Sequence, residues 1–329
     1  MRLILTLLAL MCFTPAHAQQ PDLKAIVEQH ILPGYAALAS ETAALDAAAS
    51  PCRAKSAQLT TAYHNAFDAW VRVSHLRFGP AEVDDRAFSL AFWPDPRGAT
   101  PKTLARLIRD ADPVVEDASE FATVSVAGKG FYALEFLLYD PQFVEAEDKD
   151  YLCALIQAVT RDIAANAAAI LADWRAGYGA LIATPGNDTY RDAREAAQQV
   201  FTALATGLEF TAETRLARPL GTFDRPRPAR AEARRSFRSL RHVVLSLDGT
   251  RDLALLISDN DETIVSTYAE ALARAQELDD PVFASVAEPI GRIRVEALQS
   301  AVNAIRRTLA RDIGPSLGVA QGFNALDGD

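Results

Sequence analysis

The sequence predicts an all-α fold of two helical-bundle domains, and three observations support this. Nearly every long segment repeats its apolar residues at steps of three and four, as in residues 151–174, with Leu152, Leu155, Ile156 and Val159. No segment shows the sustained alternation and β-branched enrichment that is typical of strands. The chain has 329 residues, 50% of them hydrophobic, which exceeds what one core usually serves and is enough to fill two.

The first eighteen residues have the features of a secretory signal peptide. Arg2 precedes an apolar run from Leu3 to Phe13, and the small residues Ala16 and Ala18 form a cleavage site. The apolar run is short for a membrane span, and no later stretch offers the roughly 18 uncharged apolar residues that a spanning helix needs. We therefore predict cleavage after Ala18, export to the periplasm and no membrane span in the mature chain.

The charge and the cysteines narrow the classes of protein further. A net charge of -10 is not that of a nucleic-acid-binding protein. The mature chain keeps two cysteines, Cys52 and Cys153, and in an exported protein such a pair predicts a disulfide. Closing a loop of about 100 residues would stabilise the fold by roughly 4 to 5 kcal/mol. The alternative is two buried thiols.

Prolines and glycines divide the chain. Pro185 and Gly186 lie between two long helical patterns and mark the best domain boundary, which gives domains 19–183 and 187–329 with about four main helices each. Residues 78–101 contain four prolines and two glycines, too many for one helix, and predict an ordered irregular loop.

The stretch "VSVAGKGFYALEFLLYD", residues 124–140, has two interpretations. Gly128, Gly130 and Ala133 match the G-x-G-x-x-A pattern of a dinucleotide-binding turn. That motif needs a second strand and an acid about 20 residues later, whereas here a polar loop leads into another helix. We therefore predict a helix at about 131–139, apolar nearly all round and buried on most sides.

Glu135 is the one charge on this buried helix. Such a carboxylate must be paired, metal-bound or protonated, and Tyr132 lies three residues earlier on the same face. Two interpretations stay open: an arginine holds Glu135 while Tyr132 adds a hydrogen bond, or the two side chains belong to a metal site.

A second unusual feature is a run of seven arginines between residues 225 and 241 of this acidic chain. Arg234, Arg238 and Arg241 recur at steps of four and three, which predicts a stripe on a basic helix. One use is structural, with partners among the acids of the first bundle; the candidates are Glu135, Glu82, Asp84 and Asp85. The other use is binding, because guanidinium groups suit the carboxylates of haem or of an iron chelate.

Several separated motifs together resemble the imelysin-like family, in the family's order. Residues 130–138, "GFYALEFLL", resemble its GxHxxE signature, and residues 66–80 resemble its Trp-containing helix ending in R-F-G-P. Residues 92–98 resemble its W-P-D loop, 225–243 its arginine segment and 317–329 its C-terminal end. The resemblance implies two helical bundles, an envelope location, an association with bacterial iron uptake and a metallopeptidase name.

The sequence departs from the signature at Tyr132, where the family has histidine. A His-x-x-Glu pair presents an imidazole and a carboxylate to one metal, and tyrosine lacks the nitrogen that zinc favours. A phenolate is an acceptable ligand for ferric iron, although the metal would have to drive its ionisation from a pKa near 10. Zinc hydrolysis is thus the interpretation that the departure weakens most, and iron, ferric or in haem, is the favoured cofactor.

The predicted site combines metal ligands with ligand-binding side chains, and no catalytic residue is predicted. The metal ligands are Glu135, Tyr132 and His75; the other mature histidines are His30, His64 and His242, and no two have the H-E-x-x-H spacing. The predicted ligand-binding residues are Arg77, Trp70, Trp93, Arg234, Arg238 and Arg241. The tryptophans and Phe92 read first as core or loop anchors and second as an aromatic wall for a ligand.

The function that follows is an exported imelysin-like protein that binds iron or an iron-bearing ligand near the domain junction. Its expected partners are that ligand and envelope components of iron uptake. Two alternatives remain: a metal-dependent peptidase, which predicts bound zinc, and a scaffold whose site has decayed, with Tyr132 marking the loss.

Overall fold

The computed structural model describes residues 20–50 and 56–318, and these residues form helices joined by turns. They form nine helices of ten or more residues: α1 Leu32–Ala48, α2 Ala57–Val73, α3 Ala99–Asp110, α4 Gly130–Tyr139, α5 Lys149–Asp173, α6 Ala193–Glu209, α7 Ser239–Ser258, α8 Glu262–Gln276 and α9 Pro289–Asp312. The described part of the chain contains no strand, only an isolated bridge between Thr222 and Arg225. The prediction of an all-α fold is confirmed.

Shorter segments lengthen or connect these helices. The short α-helices are Leu23–Ile26, Arg86–Leu90, Ala118–Ala122, Pro141–Val144, Gly179–Ala183 and Ala217–Leu220. The π-helical segments Val27–Ile31, Trp174–Tyr178 and Phe210–Leu216 continue directly into or out of long helices. The 3-10 turns are Gly79–Ala81, Val83–Asp85, Pro113–Glu116, Val126–Gly128, Pro228–Arg230, Ala284–Ala287 and Gly314–Leu317. Val126–Gly128 is therefore a turn and not a strand, which removes the dinucleotide interpretation.

Capping side chains fix where several helices begin. Ser56, Asp148, Asp192 and Asp261 each accept a hydrogen bond from a backbone N–H in the first turn of α2, α5, α6 and α8. Such caps satisfy amide groups that have no partner inside the helix. Helix α9 begins with Pro289, whose missing N–H is not needed at that position.

The buried apolar residues of the described chain form one continuous cluster from Leu23 to Leu317. Helix α7, from the second half, packs against α2, from the first half. The two halves therefore share a core. The loop between Ala183 and Ala193 separates two helices where the boundary is predicted, and the division into domains 19–183 and 187–329 stays a prediction.

One helical run, Lys149–Ala183, is long and apolar enough to span a membrane by length and composition. Its most apolar window is 44% buried, and Leu155, Val159 and Ile163 of α5 are fully buried in the core. The core helix of a soluble protein passes the same test, so length and composition do not decide the question. The absence of a membrane span stays a prediction.

Three sequence-based predictions fall on residues outside those described. They are the signal peptide at residues 1–18, the disulfide partner Cys52 and most of the C-terminal motif. Cys153 lies on α5. The signal peptide and the Cys52–Cys153 disulfide stay predictions.

We expect alanine to be tolerated worse at Gly130 than at Gly98. Both glycines have a positive φ, +75° and +62°, which L-residues adopt at a cost of about 1–3 kcal/mol. A Cβ at Gly130 would lie 2.3 Å from the carbonyl oxygen of Ser89 and 2.4 Å from that of Leu90, whereas a Cβ at Gly98 meets nothing within 4 Å. Urea unfolding of Gly130→Ala and Gly98→Ala measures the difference, and equal losses would show that the close approach to Leu90 is unimportant.

Candidate functional site

The first residues of α4 face a pocket of about 370 Å³. Its walls come from the loop after Phe92, from α4, and from the chain between Arg218 and Arg235. We call it the Trp93 pocket. Four residues of the predicted site line it: Trp93, Tyr132, Glu135 and Arg234. Side chains from three distant parts of the sequence therefore meet where the resemblance places the signature.

Glu135 is held by the arginine segment. Its side chain is 2% exposed, and its Oε1 accepts hydrogen bonds from the backbone N of Ser236 at 2.9 Å and from the Ser236 Oγ at 2.8 Å. Burial raises the pKa of Glu135, and the hydrogen bonds from Ser236 and the charge of Arg235 oppose that rise. The predicted burial of Glu135 is confirmed. Its side-chain hydrogen-bond donor is Ser236, and Arg235 acts on it through its charge and its backbone.

Tyr132 is held by a second residue of the same segment. Its hydroxyl donates to the carboxylate of Glu232. Burial, and then the negative charge of Glu232, raise the pKa of Tyr132 well above its usual value. Tyr132 is therefore a neutral phenol that donates a hydrogen bond.

Glu232 is the centre of a buried charged network. It is 1% exposed, and its Oε2 accepts from Arg215 Nε at 2.7 Å and lies 3.3 Å from His242 Nδ1. Burial alone would raise the pKa of Glu232, but Arg215 and His242 lower it to about 2. Arg215 Nη1 also contacts the hydroxyls of Thr211 and Ser246, both at 3.2 Å. The Glu232 carboxylate that accepts from the Tyr132 hydroxyl is therefore ionised.

The network continues from α7 to α2. Arg238 is buried; its Nε donates to His242 Nε2 at 3.2 Å, and its Nη1 lies 2.6 Å from His64 Nδ1. Arg238 also forms an ion pair with Asp68, which accepts from Arg241 Nε at 3.0 Å. Two of the three arginines that were predicted to reach the first half, Arg238 and Arg241, pair with Asp68 in place of Glu82, Asp84 or Asp85.

The predicted arginine stripe is wrong as a continuous helix. Residues 231–237 form turns, and α7 begins at Ser239, so Arg234 does not share a helix with Arg238 and Arg241. Ala233 and Phe237 have positive φ values of 43° and 58°, which no helix accommodates. These turns present the Ser236 amide to Glu135.

The remaining predicted residues lie elsewhere. His75 is buried with its Nε2 3.0 Å from His30 Nε2, and burial lowers the pKa of both imidazoles, that of His30 to about 4. Trp70 is a core residue, and Arg77 Nε pairs with Glu82 at 2.6 Å near the surface. None of these lines the Trp93 pocket. Arg238 and Arg241 do not line the pocket either.

The family follows from a direct comparison. A family model described as imelysin matches residues 31–309. This chain belongs to the imelysin family. An iron-regulated protein A of Synechococcus elongatus is 22% identical to it, over 92% of this chain and 88% of the relative. Two solved structures are similar in fold.

The first is an imelysin-like protein of Psychrobacter arcticum, with a TM-score of 0.75 and 19% identity over 92% of this chain and 96% of that one. The second, from Parabacteroides distasonis and assigned as an iron-regulated protein A precursor, has a TM-score of 0.69 and 13% identity. The match covers 89% of this chain and 96% of that one. At these identities the structures establish the shared all-α fold.

The donors in the Trp93 pocket of this imelysin-family chain do not fit a bare metal ion. Glu135 already accepts from Ser236, and Tyr132 is a neutral donor with a raised pKa. Among the described residues, no group of three or more His, Cys, Asp or Glu side chains could hold a metal. The pocket also carries the guanidinium groups of Arg218, Arg230 and Arg234. Such a lining suits an anion.

Glu232, Arg215 and Asp68 were not predicted individually as site residues, and Arg218 was included only as the first residue of the arginine segment 218–241. Glu232 had a local signal, because it is the only acid among the seven arginines between residues 225 and 241. Asp68 lies in the resembling Trp-containing helix, but its partners are 173 residues away. Arg218 and Arg215 precede the predicted stripe and had no local signal.

Proposed function

We propose that this imelysin-family protein is exported and takes an iron-bearing ligand into the Trp93 pocket. The observation that carries the proposal is the convergence of Trp93, Tyr132, Glu135 and Arg234 on one pocket. Two relatives are named iron-regulated protein A, one of them as a precursor, and this agrees with the predicted signal peptide. The expected location is the periplasm, and the expected partners are envelope components of iron uptake.

The proposed ligand is a whole iron complex, ferric chelate or haem, and the proposed activity is binding. A complex suits the arginine-lined wall, which repels a free cation. Peptide hydrolysis by zinc needs three protein ligands and a bound water, and Tyr132 supplies no imidazole. A peptidase would instead show chelator-sensitive cleavage of unfolded substrates and zinc in elemental analysis of the purified protein.

Titration of the purified protein with ferric citrate, and separately with haem, tests the proposal through tryptophan fluorescence. We expect a saturable signal with at least one ligand. We expect Arg234→Gln to weaken it by about tenfold, because hydrogen bonds to charged groups contribute roughly 1.5–3 kcal/mol. Arg234 is exposed, so its replacement leaves the core intact.

The matched control is Arg307→Gln, an exposed arginine on α9 that does not line the pocket. It should bind like the unaltered protein. The proposal is rejected if neither ligand gives a saturable signal, or if the Arg234 and Arg307 variants bind equally well.

A further inference from the structure

The Trp93 pocket has an excess of unpaired positive charge. Of its four arginines, Arg235 is paired, with its Nε 2.7 Å from Asp140 Oδ2 and its guanidinium 3.7 Å from the Phe136 ring centre. The other three, Arg218, Arg230 and Arg234, have no side-chain hydrogen bond or ion pair to any described residue. The chain has a net charge of -10 and many acidic residues, yet none of those that the structure describes pairs with these three arginines.

The two acids of the pocket are already engaged. Asp95 Oδ1 accepts from the backbone N of Ala99 at 2.9 Å, and its Oδ2 accepts from that of Thr100 at 2.8 Å, so Asp95 caps α3. Glu135 accepts from Ser236. Neither acid pairs with the three arginines. The polar wall of the pocket is therefore left with donors that lack acceptors.

Arg218 is the most constrained of the three. Its guanidinium carbon lies 5.6 Å from the centre of the Trp93 ring, close enough for a cation–π contact. Its Nε is buried without a hydrogen-bond partner. Burial lowers the pKa of Arg218, and the positive charge of Arg230 lowers it further. An anion bound beside Arg218 and Arg230 would offset the repulsion between their like charges, so this pair suits a negatively charged ligand.

The chemistry of the three arginines narrows the ligand class. A guanidinium is a planar fork that donates two parallel hydrogen bonds to a carboxylate or phosphate. Three such groups on one wall suit a compact ligand with several anionic oxygen groups better than a monoanion. Trp93 and Phe92 add aromatic surface beside them.

We infer that Arg218, Arg230 and Arg234 recognise the carboxylate groups of a polycarboxylate ligand, so that the chelator is bound whether or not it carries iron. This inference rests on the proposed function, because it assigns the chemistry of the same pocket. It goes beyond the proposed function in one respect that can be measured: the arginines recognise the organic anion and not the metal.

Isothermal titration calorimetry with iron-free citrate and with ferric citrate tests the inference. We expect both to bind, and Arg218→Gln to weaken both by the same factor of at least ten. Arg218→Lys, which keeps the charge but loses the fork, should weaken both by a smaller factor. Arg307→Gln is the matched control and should change neither. Because Arg218 forms no side-chain hydrogen bond or ion pair with any described residue, and its cation–π contact with Trp93 is the side-chain contact that is lost, its variants should lower the thermal midpoint only slightly.

The outcomes separate this inference from the proposed function. Binding of ferric citrate without binding of iron-free citrate, or unchanged binding by Arg218→Gln, overturns the inference and leaves the proposed function intact. Binding of iron-free citrate with no binding of ferric citrate or haem rejects the proposed function and leaves only recognition of the carboxylates by the arginines. Pyrophosphate is the competitor that distinguishes the two oxyanion classes, and displacement of citrate at equal concentration would overturn the preference for carboxylates.

Discussion

Replacing Glu232 by glutamine is expected to lower the free energy of unfolding by about 3–5 kcal/mol, the usual cost of removing one partner from a buried ion pair. Glu232 and Arg215 are 1% and 4% exposed, with Arg215 Nε 2.7 Å from Glu232 Oε2. The neutral amide would leave the Arg215 charge in the core without a counter-ion. Tyr132 and His242 would lose the charge that they contact. Urea unfolding followed by circular dichroism measures the loss.

Glu82→Gln is the matched control, because it removes the same charge from the ion pair with Arg77, whose side chains are 39% and 44% exposed. That change should cost less than about 1 kcal/mol. The double variant Arg215→Met/Glu232→Leu should be less destabilised than Glu232→Gln, since it removes both charges. Equal losses for Glu232→Gln and Glu82→Gln would show that burial does not strengthen the Arg215 pair.

Acid is expected to destabilise the protein steeply between pH 6.5 and 4. Burial, as the largest cause, lowers the pKa of His30 and His242 from 6.5 to about 4, and that of His75 well below 6.5. Between these values the unfolded chain binds protons that the folded chain excludes. The stabilisation is therefore complete above pH 6.5 and is lost as the pH falls, by up to about 1.4 kcal/mol per pH unit for each histidine.

Glu232 and Glu135, which are also buried, change the free energy of unfolding in opposite directions as the pH falls. Because the pKa of Glu232 is lowered to about 2, the free energy of unfolding decreases further as the pH falls from 4.5 to 2. Glu135 acts in the opposite direction, because its pKa is raised and its protonation at low pH relieves the cost of a buried charge. Burial also raises the pKa of Asp162, which acts in the same direction as Glu135, and burial lowers the pKa of a fourth histidine, His64, to about 4. The histidines outnumber these two carboxylates, so the net effect of acid is destabilising.

Measuring the free energy of unfolding at several pH values for His30→Gln checks this prediction. The slope against pH should fall by up to about 1.4 kcal/mol per unit, since one fewer proton is taken up on unfolding. Val73→Ala is the control: it removes a buried side chain and should lower stability equally at every pH. An unchanged slope in His30→Gln would contradict the buried-histidine explanation.

Helix α4 and the burial of Glu135 could be predicted because their signals are local. Residues 131–138 are apolar on nearly every side, which by itself indicates a buried helix. A carboxylate in that pattern had to be buried too. Gly130 and the following aromatic residues indicated where the signature lies, so the wall of the pocket that α4 forms could be named beforehand.

The partners of this helix could not be predicted, because they are remote in sequence. Ser236 lies 101 residues after Glu135, and Glu232 lies 100 residues after Tyr132. The spacing of the arginines suggested a helix. The chain instead forms turns in which Ala233 and Phe237 have positive φ values, and in these turns the Ser236 amide donates to Glu135. Tertiary contacts thus override a local periodicity that was real but short.

The candidate site could be predicted only in part, because some of its residues lie in local motifs and others are brought there by tertiary contacts. Trp93 and Arg234 belong to motifs and were found. His75 was chosen for its position before a loop, but it lies against His30 in the core, because an imidazole one turn from a helix end is as easily buried as exposed. Arg218 precedes the arginine run and had no pattern to mark it.

The dependence of Tyr132 and Glu135 on residues about 100 positions later has a consequence for biosynthesis. A nascent chain that has left the ribosome only as far as α6 contains the whole signature but neither Glu232 nor Ser236. In such a chain Tyr132 and Glu135 would lack these hydrogen-bond partners. The arginines that line the pocket would not yet have been synthesised. The Trp93 pocket is therefore complete only after the chain has been synthesised beyond Ser236.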